Sequence, residues 1–109
     1  MKEEKEIILI IDRQNLDEIL SGKKTEEYRA LTDFYVRMFM TKGKNGEYDQ
    51  FKPVESVWLA NGYNKDRKMV KVEVKSINID RFIHLIPENF KKGDEVFTLE
   101  LGKILEIVN

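Results

Sequence analysis

The stretch that most constrains the fold is Met69–Ile79, where polar and apolar side chains alternate. Successive side chains of a β-strand point to opposite faces, so this alternation predicts a strand with one buried and one solvent-facing side. Val70, Val72 and Val74 share the buried side. Such a strand needs neighbours to be stable, which predicts a β-sheet.

Several other segments carry the β-branched and aromatic residues that favour extended chain. A continuous apolar run near the start of the chain predicts a buried strand, and a basic-acidic segment after Gly22 predicts an extended one. Two short strands around Gly102 are expected to close the sheet. The predicted extended segments are Ile7–Ile11, Lys24–Arg29, Val54–Ala60, Val96–Leu101 and Ile104–Val108.

Two helices are expected in the first forty residues. In the first, Leu16, Ile19 and Leu20 share one helical face, and Asp12 or Asn15 can cap its start. Gly22 suits the left-handed position that ends many helices. For the second helix, Thr32 can act as the cap and an apolar-aromatic stripe follows it, comprising Phe34, Tyr35, Met38 and Phe39.

Length and composition define the class of protein. The 109 residues predict a single domain over 1–109, and 41% hydrophobic with 36% charged residues is typical of a folded chain. The expected class is mainly β with α+β character: a small barrel of about five or six strands with two flanking helices near the N-terminus. Cysteine is absent, which excludes disulfides and thiolate metal sites and suits a reducing cytoplasm.

Charge and hydropathy indicate which partners to expect. The net charge of −1 is not that of a strong duplex binder. However, Lys23–Lys44 holds six bases against three acids, and Lys65–Lys75 holds five against two, so basic surface can gather locally. Ile7–Ile11 is far shorter than a membrane span of roughly 20 residues. Met1–Glu6 mixes acids and bases, unlike a secretory signal, so no membrane partner and a cytoplasmic location are expected.

Four segments of the chain, in order, carry a resemblance to a known family. The first and most specific is Ile19-Leu-Ser-Gly-Lys-Lys-Thr-Glu-Glu-Tyr-Arg29, with a Gly-Lys-Lys-Thr-x-Glu-x-Arg core. The others are Leu31-Thr-Asp-Phe-Tyr-Val-Arg37, Val57-Trp-Leu-Ala-Asn-Gly-Tyr63 and Phe97-Thr-Leu-Glu-Leu-Gly-Lys-Ile104. Together they resemble an ASCH domain of the PUA-like superfamily, in the branch of small proteins found in phages and bacteria.

The resemblance implies a PUA-like β-pseudobarrel with a cleft floored by the Lys-Thr-x-Glu-x-Arg strand. Domains of this kind are generally proposed to bind RNA, nucleotides or modified nucleobases. We therefore expect a binding module for single-stranded RNA, a nucleotide or a modified base. The ligand-binding residues implied are Lys24, Thr25, Glu27 and Arg29 of the motif, joined by Arg37, Asn61 and Tyr63.

The chemistry of these side chains fits such a ligand. An arginine can hold a phosphate or a base edge with two parallel hydrogen bonds, and a carboxylate can accept from an exocyclic amine. Tyrosines, among them Tyr35 and Tyr63, can stack on an unpaired base. Alternatively, Glu27 pairs internally with Arg29 or Arg37 and nothing binds, Asn61 is a turn residue, and Tyr28, on the opposite strand face, belongs to the core.

Two further functions stay open at this point. Some ASCH relatives are amidohydrolases acting on acylated cytidine and others are described as ribonucleases, so Lys24 and Glu27 could serve as an acid/base pair. In the amidohydrolases the motif reads Lys-Thr-x-Thr, and the nucleophilic threonine is replaced here by Glu27. A third function is recognition of another protein. No cofactor is expected, and His84 as sole histidine makes a metal site improbable.

Overall fold

The computed structural model describes residues 6–109, and the expectation about the charged N-terminal segment concerns mostly residues outside that range. The chain is mainly β with α+β character, as predicted. Its strands are β1 (Ile8–Ile11), β2 (Glu26–Ala30), β3 (Met40–Lys42), β4 (Tyr48–Phe51), β5 (Ser56–Asn61), β6 (Met69–Arg81) and β7 (Glu95–Val108). Its helices are α1 (Arg13–Leu20) and α2 (Asp33–Phe39).

Five of the strands form a mixed sheet in the order β1-β5-β6-β7-β2. Strand β1 runs parallel to β5, while β5 pairs with β6 and β2 with β7 in antiparallel fashion. In the part of the chain that the structure describes, β1 and β2 are the outer strands of this sheet. The remaining strands, β3 and β4, form an antiparallel pair of their own.

The contacts group the chain into two compact units. Among the described residues, the first unit comprises 6–25, Val54–Lys75 and Leu101–Asn109; the second comprises Glu26–Pro53 and Ser76–Glu100. Strands β6 and β7 are each divided between the two units: β6 after Lys75 and β7 after Glu100. The single-domain organisation over 1–109 stays a prediction.

The first unit buries α1 and the aliphatic faces of its strands. Of the two caps that the sequence allowed, Asp12 is the one used: it accepts from the backbone N–H of Asn15 at 2.8 Å, and Gly22 follows the helix with a φ of +80°. The helical spacing puts Leu16 and Ile19 on the buried side. Their fully or nearly buried neighbours in this unit include Leu9, Val57, Leu59, Val70 and Val72.

The second unit has an aromatic core. Thr32 caps α2, as predicted, and the helix delivers Phe39 to the interior, where it meets Phe97 of β7 edge to face at 5.3 Å between ring centroids. Phe51 of β4 also approaches Phe97, at 6.4 Å. Leu99 lies on the same face of β7 as Phe97, and Val96, on the opposite face, is buried as well.

The sequence predicted a small barrel, whereas no closed barrel is found in the part of the chain that the structure describes. Two further features differ from the sequence expectation. The predicted break at Gly102 does not occur, because β7 continues through it as one strand of 14 residues. A side chain at Gly102 would overlap the carboxylate of Glu73. The glycine therefore leaves space for a neighbouring side chain and does not form a turn. The pair β3 and β4 was not predicted.

Helices suited to crossing a membrane are not found among residues 6–109.

A candidate binding site on the second strand

Strand β2 determines how the motif side chains are displayed. Because side chains alternate along a strand, Glu27 and Arg29 point to one face. Their register partners on β7 are Leu99 and Phe97, both fully buried. The two charged groups therefore lie on the apolar side of the second unit.

Glu27 and Arg29 are joined in a buried ion pair. Nη2 of Arg29 lies 3.2 Å from Oε2 of Glu27, and the two side chains are 12% and 7% exposed. The other carboxylate oxygen, Oε1, accepts from the backbone N–H of Tyr28 at 3.1 Å. Of the two internal pairs considered from the sequence, the structure forms the one between Glu27 and Arg29.

Helix α2 supplies a second partner for the guanidinium. Nη1 of Arg29 donates to the hydroxyl of Tyr35 at 3.1 Å, and the guanidinium carbon lies 5.8 Å from the centre of that ring. Tyr35 occupies this place because the cap at Thr32 begins the helix one turn earlier. Arg29 is thus held between a carboxylate and a phenol, which fixes the plane of its guanidinium.

One donor of Arg29 is unused. Its Nε is buried and has no hydrogen-bond partner among the described residues, a condition it shares with Oγ1 of Thr98. A buried polar group without a partner costs about 1–3 kcal/mol, and most such groups in native proteins are paired. Because Nε is buried, an acceptor from outside the protein reaches it only if neighbouring side chains move.

Lys24 and Thr25 belong to the first unit. Nζ of Lys24 donates to the side-chain oxygen of Asn15 at 2.9 Å, and its backbone N–H donates to the carbonyl of Glu18 at 3.0 Å. The carbonyl of Thr25 accepts from the backbone N–H of Leu101 at 2.8 Å. Within their own unit, both residues are anchored at the end of α1 and the start of the second half of β7.

The other predicted ligand residues differ in exposure. Arg37 is exposed on α2, and its carbonyl accepts from Nζ of Lys52 at 2.9 Å. Asn61 is half-buried at the end of β5, where its side-chain amide donates to the carbonyl of Ile11 at 3.2 Å. Tyr63 is 83% exposed, which leaves its ring accessible for stacking.

Among the remaining aromatic residues, Tyr28 is a packing residue. Its ring meets Phe82 and Phe90 edge to face at 5.3 and 6.4 Å, and its hydroxyl donates to Glu26. Burial, followed by that hydrogen bond, raises the pKa of Tyr28 to about 12. Trp58 is half-buried rather than in the core: its indole N–H donates to Glu6 at 2.8 Å.

The first unit also contains a polar recess that was not predicted from the sequence. Its volume is about 630 Å³. The excess of bases over acids in Lys65–Lys75 was the available signal, but the contribution of Arg13 depends on tertiary structure. The lining residues are Arg13, Asn61, Asn64, Lys65, Asp66, Arg67, Lys68 and Asn109.

Neither a protein-family model, nor a curated protein, nor a solved structure matches the chain. Support for a function therefore comes from the geometry of the described residues and from the resemblance of the motif. Among residues 6–109, no group of three or more His, Cys, Asp or Glu side chains is arranged to hold a metal ion.

Proposed function

We propose that this chain is an ASCH-type, PUA-like module that binds a nucleotide, a modified nucleobase or a short single-stranded RNA segment. The binding strand is β2, which carries Glu27 and Arg29 of the Lys-Thr-x-Glu-x-Arg motif. The supporting observation is the guanidinium of Arg29, which Glu27 and Tyr35 hold in a fixed orientation. The absence of cysteine agrees with a cytoplasmic location, which we also propose.

The energetics of the ion pair favour a role in recognition. Replacing a buried ion pair by apolar residues of similar volume is often neutral or stabilising, because the charges must be taken out of water. Phe97 and Leu99, opposite this pair, would accommodate apolar side chains on β2. A charged pair at these positions is therefore not explained by stability, and a held guanidinium is suited to a phosphate or a base edge.

Exposed groups in each unit provide further contacts of the kind that nucleic acids use. In the second unit, Arg37 presents a charge to solvent. In the first unit, Tyr63 presents an accessible ring, and stacking of an unpaired base on such a ring contributes roughly 1–3 kcal/mol. We assign Arg37 to phosphate contact and Tyr63 to stacking.

Calorimetric titration with cytidine monophosphate, uridine monophosphate and a short oligouridylate tests the proposal. Arg29→Ala should weaken binding by at least about 1 kcal/mol, the scale of one lost base or phosphate contact. Arg81→Ala is the matched control, because Arg81 also pairs with a glutamate of the second unit, Glu95, but with both side chains about half exposed. Equal affinities for the two variants would remove Arg29 from the site.

The same protein should be incubated with acylated cytidine and with single-stranded RNA, followed by chromatography. The binding proposal expects no turnover, since both oxygens of Glu27 already accept hydrogen bonds, from Arg29 and from the backbone of Tyr28. Turnover that disappears in Glu27→Gln would replace the binding module by a hydrolase.

A further inference from the structure

The recess in the first unit has the composition of an anion site. Four basic side chains line it, Arg13, Lys65, Arg67 and Lys68, against the single acid Asp66. Arg13 pairs with Asp17 one helical turn away, but those side chains are 61% and 54% exposed, and an exposed pair of this kind is weak. An excess of basic side chains therefore surrounds a concave surface, although the whole chain has a net charge of −1.

The loop that forms one wall of the recess is held in place by hydrogen bonds. Nη1 of Arg67 donates to the carbonyl of Gly62 at 3.2 Å, and the backbone N–H of Arg67 donates to the carbonyl of Asn64 at 3.2 Å. At the base of the loop, the N–H of Asn61 donates to the carbonyl of Lys68 at 2.9 Å. Gly62 allows the turn, with a φ of +78°. The basic groups are thus presented by an ordered loop, which lowers the entropy lost on binding.

The side-chain amides add a second kind of contact. The nitrogen of the Asn61 amide donates to the carbonyl of Ile11, which fixes the amide and leaves its oxygen as an acceptor. An acceptor suits a ligand that carries a donor, such as an amine or a sugar hydroxyl, beside its anionic group. A volume of about 630 Å³ lies within the range of roughly 300–1,000 Å³ that small-molecule sites occupy, and exceeds the needs of a lone inorganic anion.

From these observations we infer that the recess binds the phosphate group of a nucleotide unit, either a free nucleotide or one link of a nucleic-acid strand. Arg67 and Lys65 hold the phosphate oxygens, and Asn61 accepts from the sugar or the base. This site lies within the first unit and does not depend on Arg29, so it stands or falls separately from the proposed function.

The test is an ¹⁵N-labelled titration followed by NMR, with uridine, uridine monophosphate, pyrophosphate and a short oligouridylate as probes. Uridine monophosphate should shift the amide signals of residues 61–68 in the wild-type protein, whereas uridine should leave them unchanged. The variant Lys65→Gln, at an exposed side chain, should weaken nucleotide binding at this loop at least about fivefold. The double variant Lys65→Gln with Lys68→Gln should weaken it further.

Lys44→Gln is the matched control, since Lys44 is an exposed lysine of the second unit and its replacement makes the same change in net charge. Equal weakening by Lys65→Gln and Lys44→Gln, or equal shifts with uridine and uridine monophosphate, would overturn the inference. Arg29→Ala should leave the shifts of residues 64–68 intact, which separates this site from the one on β2. If the oligouridylate binds more tightly than uridine monophosphate and its affinity depends more steeply on salt, the phosphate comes from a nucleic-acid strand. If the two affinities are equal, the ligand is the free nucleotide.

Discussion

Replacing Arg29 with methionine measures what the buried ion pair contributes to stability. The side chains of Arg29 and Glu27 are 12% and 7% exposed, so the pair falls in the buried class. Removing one partner of a buried ion pair lowers the free energy of unfolding by about 3–5 kcal/mol, whereas an exposed ion pair contributes only about 0–1 kcal/mol to it. The variant also removes the unpartnered Nε, which offsets part of the loss, by about 1 kcal/mol. We expect Arg29→Met to lower the free energy of unfolding by about 3 kcal/mol.

The double variant Glu27→Leu with Arg29→Met separates the ion pair from its surroundings. With both charges gone, the side chains opposite Leu99 and Phe97 are apolar, and we expect stability within about 1 kcal/mol of the wild type. Each single variant should be clearly less stable than the double one. The double-mutant cycle should therefore give a coupling energy of about 2 kcal/mol or more.

Urea unfolding followed by circular dichroism supplies the measurement, with the midpoint and the m-value reported for every variant. Arg81→Met serves as the control, because the pair of Arg81 with Glu95 is 60% and 47% exposed and should contribute less than about 1 kcal/mol. If Arg29→Met lowers the free energy of unfolding by less than about 1 kcal/mol, the pair of Arg29 with Glu27 contributes no more than an exposed ion pair does. A double variant whose loss equals the sum of the two single losses would show that the charges do not interact, and the reasoning would be wrong.

Three further predictions concern the pKa values and the helix caps. In an alkaline titration followed by absorbance, one tyrosine should ionise near pH 12, and Tyr28→Phe should remove that step. Because the pKa of Tyr28 in the folded state is raised from 10.0, its contribution to the free energy of unfolding is fully present below about pH 10 and is lost as the pH rises towards 12. Asp12→Ala should lower the free energy of unfolding in urea by about 1 kcal/mol, and Thr32→Ala by less, because the cap hydrogen bonds are 2.8 and 3.4 Å long. Hydrogen bonds, first from Lys71 and then from Trp58, lower the pKa of Glu6 from 4.5. The difference in melting temperature between the wild type and Glu6→Gln should therefore be present near neutral pH and be lost as the pH falls below 4.5 and through the lowered pKa.

Features with short-range causes were predictable from the sequence. The alternation in Met69–Ile79 predicted β6, and the caps at Asp12 and Thr32 predicted where α1 and α2 begin. Gly102 misled the prediction, because a glycine within a strand pattern suggests a break. The reason for that glycine is the side chain of Glu73, which comes close only after the sheet has formed. Strands β3 and β4 have three and four residues, too few for a periodic pattern.

In the candidate site, too, only the features with short-range causes were predictable from the sequence. The period of a strand places Glu27 and Arg29 on one face, and the structure confirms that they meet. Whether Glu27 pairs with Arg29 or Arg37 depends on the way α2 packs, which the sequence does not determine. The partnership of Arg29 with Tyr35 depends on the same packing.

The charge distribution determines what kind of binding to expect from both candidate sites. A net charge of −1 provides no long-range attraction for a polyanion, so affinity must come from groups held at short range. The structure supplies two such arrangements, the guanidinium of Arg29 fixed by Glu27 and Tyr35, and the basic loop around Arg67. A ligand held by a few local contacts releases few counterions, so we expect a shallow dependence of affinity on salt. Binding to a single nucleotide that instead falls steeply with salt would contradict this expectation.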